Sequence, residues 1–500
     1  MKKIMITYYS TRDENAKNGV TSATAIKRGI APDGGLYSPD VIPVVSPDFI
    51  ESLKDLDYSA RAAKILSLFL SDDYTDSETA EFCCAAYSKD AFPDGAAPLK
   101  DIGGGRYVLE LWHGPSCAFK DMALQLMPRL LSAAIAKTGE NRNALILVAT
   151  SGDTGKAALE GYRDIDRIKI EVFYPAEGVS MIQKLQMMTQ SGSNVDVCGI
   201  RGNFDDAQNG VKSIFTDGEI AAELDRRGLF LSSANSINWG RLLPQVVYYF
   251  SAYADLLNQG ALNPGERIDF VVPTGNFGNI FSGYLAYRMG LPVGRLVCAS
   301  NRNRVLTDFF STGVYDKNRS FYTTSSPSMD ILISSNLERL LAYTEGPVRT
   351  AGYMSELKNT GRYSVGEQII GDIKKIFAGY SAGDEETSTA IGRYWKERHY
   401  LADTHTAVAL SCADRYLSEN GTERPCVVLS TASPFKFASS VYSSVTSCEA
   451  EPGYRALEML SEVTGIAVPA RLSGIDRREV RFPDVCDADG MRRRMLTFAG

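Results

Sequence analysis

Three stretches of the chain gather glycine, hydroxyl and charged residues where an apolar run gives way to a helix-forming one. In "ALILVATSGDTGKAA", Thr150, Ser151, Asp153 and Thr154 bring hydroxyls and a carboxylate together, and Gly152 and Gly155 let the backbone approach a ligand. A helix N-terminus with unused N–H groups in that position suits an anion. In "VVPTGNFGNIFSG", Gly275, Asn276, Phe277, Gly278 and Asn279 form a glycine-rich turn whose successive N–H groups, aided by the helix dipole, suit a phosphate. In "VVLSTASPFKF", Thr431 ends a strand and Ser433 and Pro434 start the turn, where a hydroxyl taken alone reads as a cap for the following helix. A fourth stretch, "LWHGPSCAFKDMALQ", sets Lys120 among small and apolar residues between Phe119 and Asp121. It reads either as an ordinary solvated lysine or as an amine with a task.

Two nucleotide readings fail on spacing. A Walker loop needs Gly where Thr150 stands and Ser or Thr where Ala157 follows Lys156, and the second loop is not G-x-G-x-x-G.

The elements that must position these loops alternate. "RYVLELW", "ALILVAT", "KIEVFYP", "NVDVCGI", "IDFVVPTG" and "CVVLSTA" read as strands, most of them buried on both faces, with helical segments such as "AFKDMALQLMPRLLSAAIAK" between them. Strands alternating with helices imply an α/β fold with parallel sheets and right-handed crossovers, and ligands in such sheets bind beyond the carboxyl ends of the strands. We expect an N-terminal cap over 1–105, a smaller α/β domain over 106–235 and a larger one over 236–500. A helical insertion without strands is expected at about 328–420.

Bulk properties narrow the class. The 500 residues are 44% hydrophobic and 23% charged, with a formal charge of −7 and no Lys/Arg block. Neither a nucleic-acid groove nor a membrane-surface patch is indicated. No apolar segment approaches the roughly 20 residues that cross a bilayer. The nine cysteines form no C-x-x-C pair and the three histidines have no metal-ligand spacing. This points to a cytosolic protein without a metal site.

Taken together the motifs resemble the threonine synthase family, pyridoxal-phosphate enzymes of the tryptophan synthase β-like architecture (fold type II, two parallel-sheet domains). "GIAPDGGLYSP" (29–39), "HGPSCAFKD", "ATSGDTG", "NSINWGRLLPQ" (235–245), "PTGNFGNI", "SPSMDI" (326–331) and "DTHTAVA" occur in the family's order. The resemblance implies that Lys120, beside Phe119, carries pyridoxal 5'-phosphate as a Schiff base. It implies that Gly275, Asn276, Phe277, Gly278 and Asn279 hold the cofactor phosphate and that Thr431 meets the ring nitrogen. Thr150, Ser151, Gly152, Asp153, Thr154 and Arg241 are implied to grip the substrate, O-phospho-L-homoserine. The implied reaction adds water to that substrate and yields L-threonine and phosphate. One alternative keeps the cofactor and releases 2-oxobutyrate, as a phospho-lyase or dehydratase would; another is a non-catalytic phosphometabolite-binding relative. A monomer or weak homo-oligomer is expected.

The chemistry suits the residue types. Desolvation beside Phe119 at a helix N-terminus lowers an ammonium pKa, as a proton-shuttling lysine requires. Four departures from the family pattern stand out: Ser433 in place of a histidine, Ser116 and Cys117 in place of Thr-Leu, Lys156 directly after "SGDTG", and Thr404 in place of a proline. Lys156 could add charge near the site or face solvent. His113 reads equally as a ligand contact or a structural residue. His399 and His405 read as structural, and Cys117 as a packing residue.

Overall fold

The computed structural model describes residues 5–150, 152–177 and 179–500. Its framework is two sheets. The larger has six strands in the order Phe377–Ser381, Val293–Ser300, Ile268–Pro273, Cys426–Ser430, Arg106–Glu110 and Leu99–Gly103, all parallel except the last. The smaller has five parallel strands, ordered Val485–Asp487, Val195–Arg201, Ile168–Pro175, Asn143–Ala149 and Leu229–Ser232.

Burial explains why the apolar runs became strands. Ile268–Pro273 and Cys426–Ser430 are buried at every position, and Asn143–Ala149 at all but its two ends, because helices cover both faces. Thr150, Thr274 and Thr431 therefore stand just past the carboxyl ends of strands from both sheets.

The sheets depart from the expected division of the chain in three ways. Arg106–Glu110, expected with the smaller domain, hydrogen-bonds to Cys426–Ser430 in the larger sheet. The region 328–420 is not free of strands: Phe377–Ser381, sequence "FAGYS", forms an edge of the larger sheet, and its Gly and Ser hid the apolar signal of a strand. Val485–Asp487 near the C-terminus adds an edge to the smaller sheet, and the helix Met491–Ala499 follows it.

The N-terminal region is not a separate body. Ile6, Tyr8, Ile26, Leu66 and Phe69 belong to the same buried cluster as the sheet residues Val172, Phe270 and Leu429. The Trp239 ring lies 5.5 Å from that of Tyr8 and 5.9 Å from that of Phe69. Among the described residues no helix is long and apolar enough to cross a membrane.

Candidate active site

The segment carrying Lys120 is zipped to the loop carrying Thr431. Phe119 N–H donates to the Thr431 carbonyl at 2.8 Å, Ser433 N–H to the Cys117 carbonyl at 3.0 Å, and Ala118 bridges Ala432. The Asp121 carboxylate accepts the Ser116 N–H at 2.8 Å and tightens the turn before the lysine. Burial pushes the Asp121 carboxyl up to about 7, and its other oxygen is buried without a partner among the described residues.

Lys120 begins the short helix Asp121–Leu124 and is 8% exposed. Its Nζ lies 3.3 Å from Asp153 Oδ2, 3.4 Å from Ser328 Oγ and 5.0 Å from the centre of the Phe119 ring. Burial lowers its pKa, the Asp153 charge opposes this, and the nearby Lys436 and Arg241 charges lower it further. Asp153, in the first turn of the helix Asp153–Tyr162, also takes Lys436 Nζ at 2.7 Å and Gln183 Nε2 at 2.8 Å. Burial alone would raise its pKa; the two lysines hold it well below the usual carboxylate range.

Lys436 is the main residue that sequence reasoning missed. Its side chain is fully buried, and its Nζ donates to the Ser116 carbonyl at 2.8 Å as well as to Asp153. The signal resembled the one that drew attention to Lys120: a lysine set among apolar residues, here between Phe435 and Phe437. Two ammonium groups thus share one carboxylate. Arg241, also buried, donates to the Ala234 carbonyl at 2.5 Å and pairs with no carboxylate among the described residues. Burial brings its pKa down to about 10. So much buried positive charge calls for an anion.

The glycine-rich loop has the form of an anion cradle. Its carbonyls are turned outward: Gly275 O accepts Ser334 Oγ–H at 2.6 Å, and Asn276 O accepts the Asn336 N–H at 3.1 Å and Nδ2 at 2.9 Å. Phe277 takes a left-handed φ of 62° before the helix Gly278–Arg288. The N–H groups of Gly275, Asn276, Phe277, Gly278 and Asn279 donate to none of the described residues. Tyr248 and Tyr249 hydroxyls hold Asn279 Oδ1 at 2.6 and 3.0 Å, and its buried Nδ2 has no partner among the described residues. This orphaned donor and the five open N–H groups fit a phosphate monoester dianion, the anionic end of pyridoxal phosphate. Phe277 contributes its backbone, for its side chain packs on Phe310 and Phe377.

The other expected residues divide. Thr431 is buried, and its hydroxyl bonds to none of the described residues, so it is free for a ring nitrogen. Thr150 turns its hydroxyl inward, accepting the N–H groups of Gly152 and Gly155 at 3.0 and 2.9 Å, and so shapes the loop. Gly152 has φ +134°, and a Cβ there would lie 2.5 Å from the Gln183 side chain. Thr154 is half-buried, and Ser151 lies outside the described residues.

Several residues are turned away from the site. Lys156 neither adds charge to it nor faces solvent: its Nζ is buried against Glu160 and Gln190, at 2.6 Å from each. His113 stacks on Trp112 and meets Glu110 at 2.9 Å, which is a structural arrangement. Ser433 caps the turn Pro434–Phe437 through the Phe435 N–H. The Cys117 thiol is pushed up to about 12 by burial, consistent with packing. His405, by contrast, stays at the site: it donates from Nδ1 to Asp403 at 2.8 Å and accepts the Ser328 N–H at Nε2, 3.1 Å, and so holds Ser328 beside Lys120.

Comparison with known proteins gives a consistent result. Residues 7–87 match the family described as threonine synthase N terminus, residues 96–432 pyridoxal-phosphate dependent enzyme, and residues 406–493 threonine synthase, C-terminal. Threonine synthase of Pseudomonas aeruginosa is 40% identical over 438 residues, 87% of this chain and 89% of that one. The crystal structure of PLP-bound threonine synthase from Brucella melitensis superposes with a TM-score of 0.87 at 36% identity, covering 99% of both chains. That of threonine synthase from yeast gives 0.88 at 31% identity, covering 98% of this chain and 99% of that one.

Proposed function

The chain belongs to the threonine synthase family of pyridoxal-phosphate-dependent enzymes, and from that premise we propose how its residues turn O-phospho-L-homoserine and water into L-threonine and phosphate. The observation that carries the reading is the buried Lys120–Asp153–Lys436 chain, set among strand ends that also bear the open N–H cradle of residues 275–279. When bound, pyridoxal phosphate supplies an electrophilic carbonyl and the electron sink for carbanions.

The cradle N–H groups and Asn279 Nδ2 would hold the cofactor phosphate, and the Thr431 hydroxyl would serve the ring nitrogen. A hydroxyl there would leave the ring neutral, where a carboxylate would keep it protonated. Arg241, with Gly152 and Thr154 at the mouth of the helix Asp153–Tyr162, takes the substrate phosphate, and the unpaired guanidinium is what supports that role. Lys120 Nζ, its pKa lowered by burial, would accept the protons leaving Cα and Cβ as the Cγ–O bond to phosphate breaks, and return protons to Cγ and Cα as the hydroxyl of water adds at Cβ. Asp153 aims that amine without being protonated itself. Ser328, held by His405, limits the swing of Nζ from the other side.

The test is a product assay with purified protein, pyridoxal phosphate and O-phospho-L-homoserine. Threonine equal to phosphate released is the expected result. 2-Oxobutyrate in place of threonine would make the protein a phospho-lyase, and no phosphate at all would overturn the substrate. Lys120→Ala is expected to stay folded and lose turnover.

A further inference from the structure

A cavity of about 470 Å³ lies beside the candidate active site and shares no lining residue with Lys120, Asp153, Lys436 or the loop 275–279. Four parts of the chain enclose it: residues 89–93, Pro115, the helices Asp153–Tyr162 and Met181–Met188 with the turns that follow them, and residues 470–478. Its wall carries five cations, Lys89, Lys156, Arg163, Arg471 and Arg478, against two carboxylates, Asp90 and Glu160. Glu160 is already divided between Lys156 at 2.6 Å and Arg163 at 3.3 Å.

Arg471 and Arg478 have no carboxylate within ion-pair distance among the described residues. Arg471 donates to the Asp90 carbonyl, and Arg478 to the Arg471 carbonyl at 3.1 Å. A concave surface with three more positive than negative side chains focuses its field on whatever anion enters. One wall residue asks for a donor: Gln186 Oε1 is buried without a partner among the described residues. Gln186 Nε2 donates at 3.3 Å to the Ser116 carbonyl, which also accepts Lys436 Nζ at 2.8 Å. The cavity wall and the catalytic chain therefore meet on one carbonyl oxygen.

We propose that this cavity is a regulatory site for a small organic polyanion, phosphorylated or polycarboxylic and bearing a hydroxyl or amine. Arg471, Arg478 and Lys89 bind the anionic groups, and occupancy is felt at Lys436 through Gln186 and the Ser116 carbonyl. A phosphate-bearing substrate binds at Arg241 in the catalytic site, so the test must separate the two anion sites.

The experiment is calorimetric titration of the cofactor-loaded enzyme with pyrophosphate as the phosphoryl probe and, separately, citrate as the carboxylate probe, with substrate kinetics at saturating probe. At least one probe is expected to bind, more weakly at high salt, and to change KM or kcat for phosphohomoserine at least about twofold. The double variant Arg471→Ser/Arg478→Ser should weaken that binding about tenfold and abolish the kinetic effect, with basal activity unchanged. Arg477→Ser, an exposed neighbour outside the cavity, should alter neither. Failure of both probes to bind overturns the site. So does binding that Arg241→Ala removes and the double variant keeps. Binding with unchanged kinetic constants, or a kinetic effect that survives the double variant, overturns the regulatory role.

Discussion

At the scale of single residues, the charge on Lys436 is compensated almost entirely by Asp153, because no part of its side chain reaches water. Lys436→Met leaves that carboxylate buried with one weaker ion pair, 3.3 Å to Lys120, and should cost about 3 kcal/mol of stability. The same change removes a positive neighbour that lowers the Lys120 pKa, so the amine becomes more basic. We expect a fall of about 100-fold in kcat near neutral pH, partly recovered as pH rises, with Lys436→Arg intermediate. A pH–rate profile unmoved in Lys436→Met would show that Lys436 only fills space.

Asp121 gives a pH dependence of the opposite kind to that of Asp153. The unfolded chain loses this proton near 3.8, while the folded protein keeps it to about 7. Its contribution is therefore complete below 3.8 and is lost as pH climbs through that window, by a few kcal/mol at most. Asp121→Asn, which still accepts the Ser116 N–H, should be the more stable protein at pH 7 and equal to the parent at pH 4. Urea unfolding of both proteins at the two pH values decides it.

At the scale of elements, Lys120 and Asp153 sit at the starts of two different helices, and their separation depends on how closely those helices cross. A Cβ added at Gly161 would lie 1.8 Å from the Leu124 carbonyl oxygen, a backbone atom that cannot step aside. Gly161→Ala should push the helix Asp153–Tyr162 off Asp121–Leu124, destabilise the fold by about 2 kcal/mol and lower kcat. Cofactor-phosphate binding should survive, because the loop 275–279 stands on another strand. Thermal unfolding with cofactor titration checks both halves; loss of cofactor binding alone would contradict the account.

At the scale of the whole molecule, the N-terminal region supports the cradle through one buried side chain. Arg339 donates to the Tyr37 carbonyl from Nε at 3.1 Å and Nη2 at 3.0 Å, to the Ile237 carbonyl at 2.6 Å, and to Asn336 Oδ1. Asn336 in turn holds the Asn276 carbonyl. Arg12, paired with Glu338 at 2.8 Å, fastens the same region one residue away. Arg339→Met strands three acceptors, two of them buried, and should cost about 3 kcal/mol. Slackened turns at Tyr37 and Asn276 should also let the cofactor dissociate faster on dialysis, read by absorbance. Unchanged retention would mean that the cradle is rigid without the N-terminal region.

The sequence alone determined whatever is written within a few consecutive residues. The apolar runs before Thr150, Thr274 and Thr431 marked strand ends, and "GNFGN" marked a cradle, because turn geometry and N–H exposure are local properties of the backbone. Lys120 was legible as an apolar-flanked amine, and the ordered family motifs pointed to pyridoxal phosphate. Tertiary structure alone decided the charge balance. Lys436 and the Ser116 carbonyl are 320 positions apart, and no local pattern shows that this lysine is buried against Asp153 or that Arg241 pairs with no carboxylate among the described residues. It also decided that Thr150 shapes its loop, that Lys156 turns to Glu160, and that "FAGYS" and Arg106–Glu110 are neighbours of other strands in the larger sheet. Desolvation, ion pairing and strand order depend on which distant segments close around a residue, and that information exists only once the chain has folded.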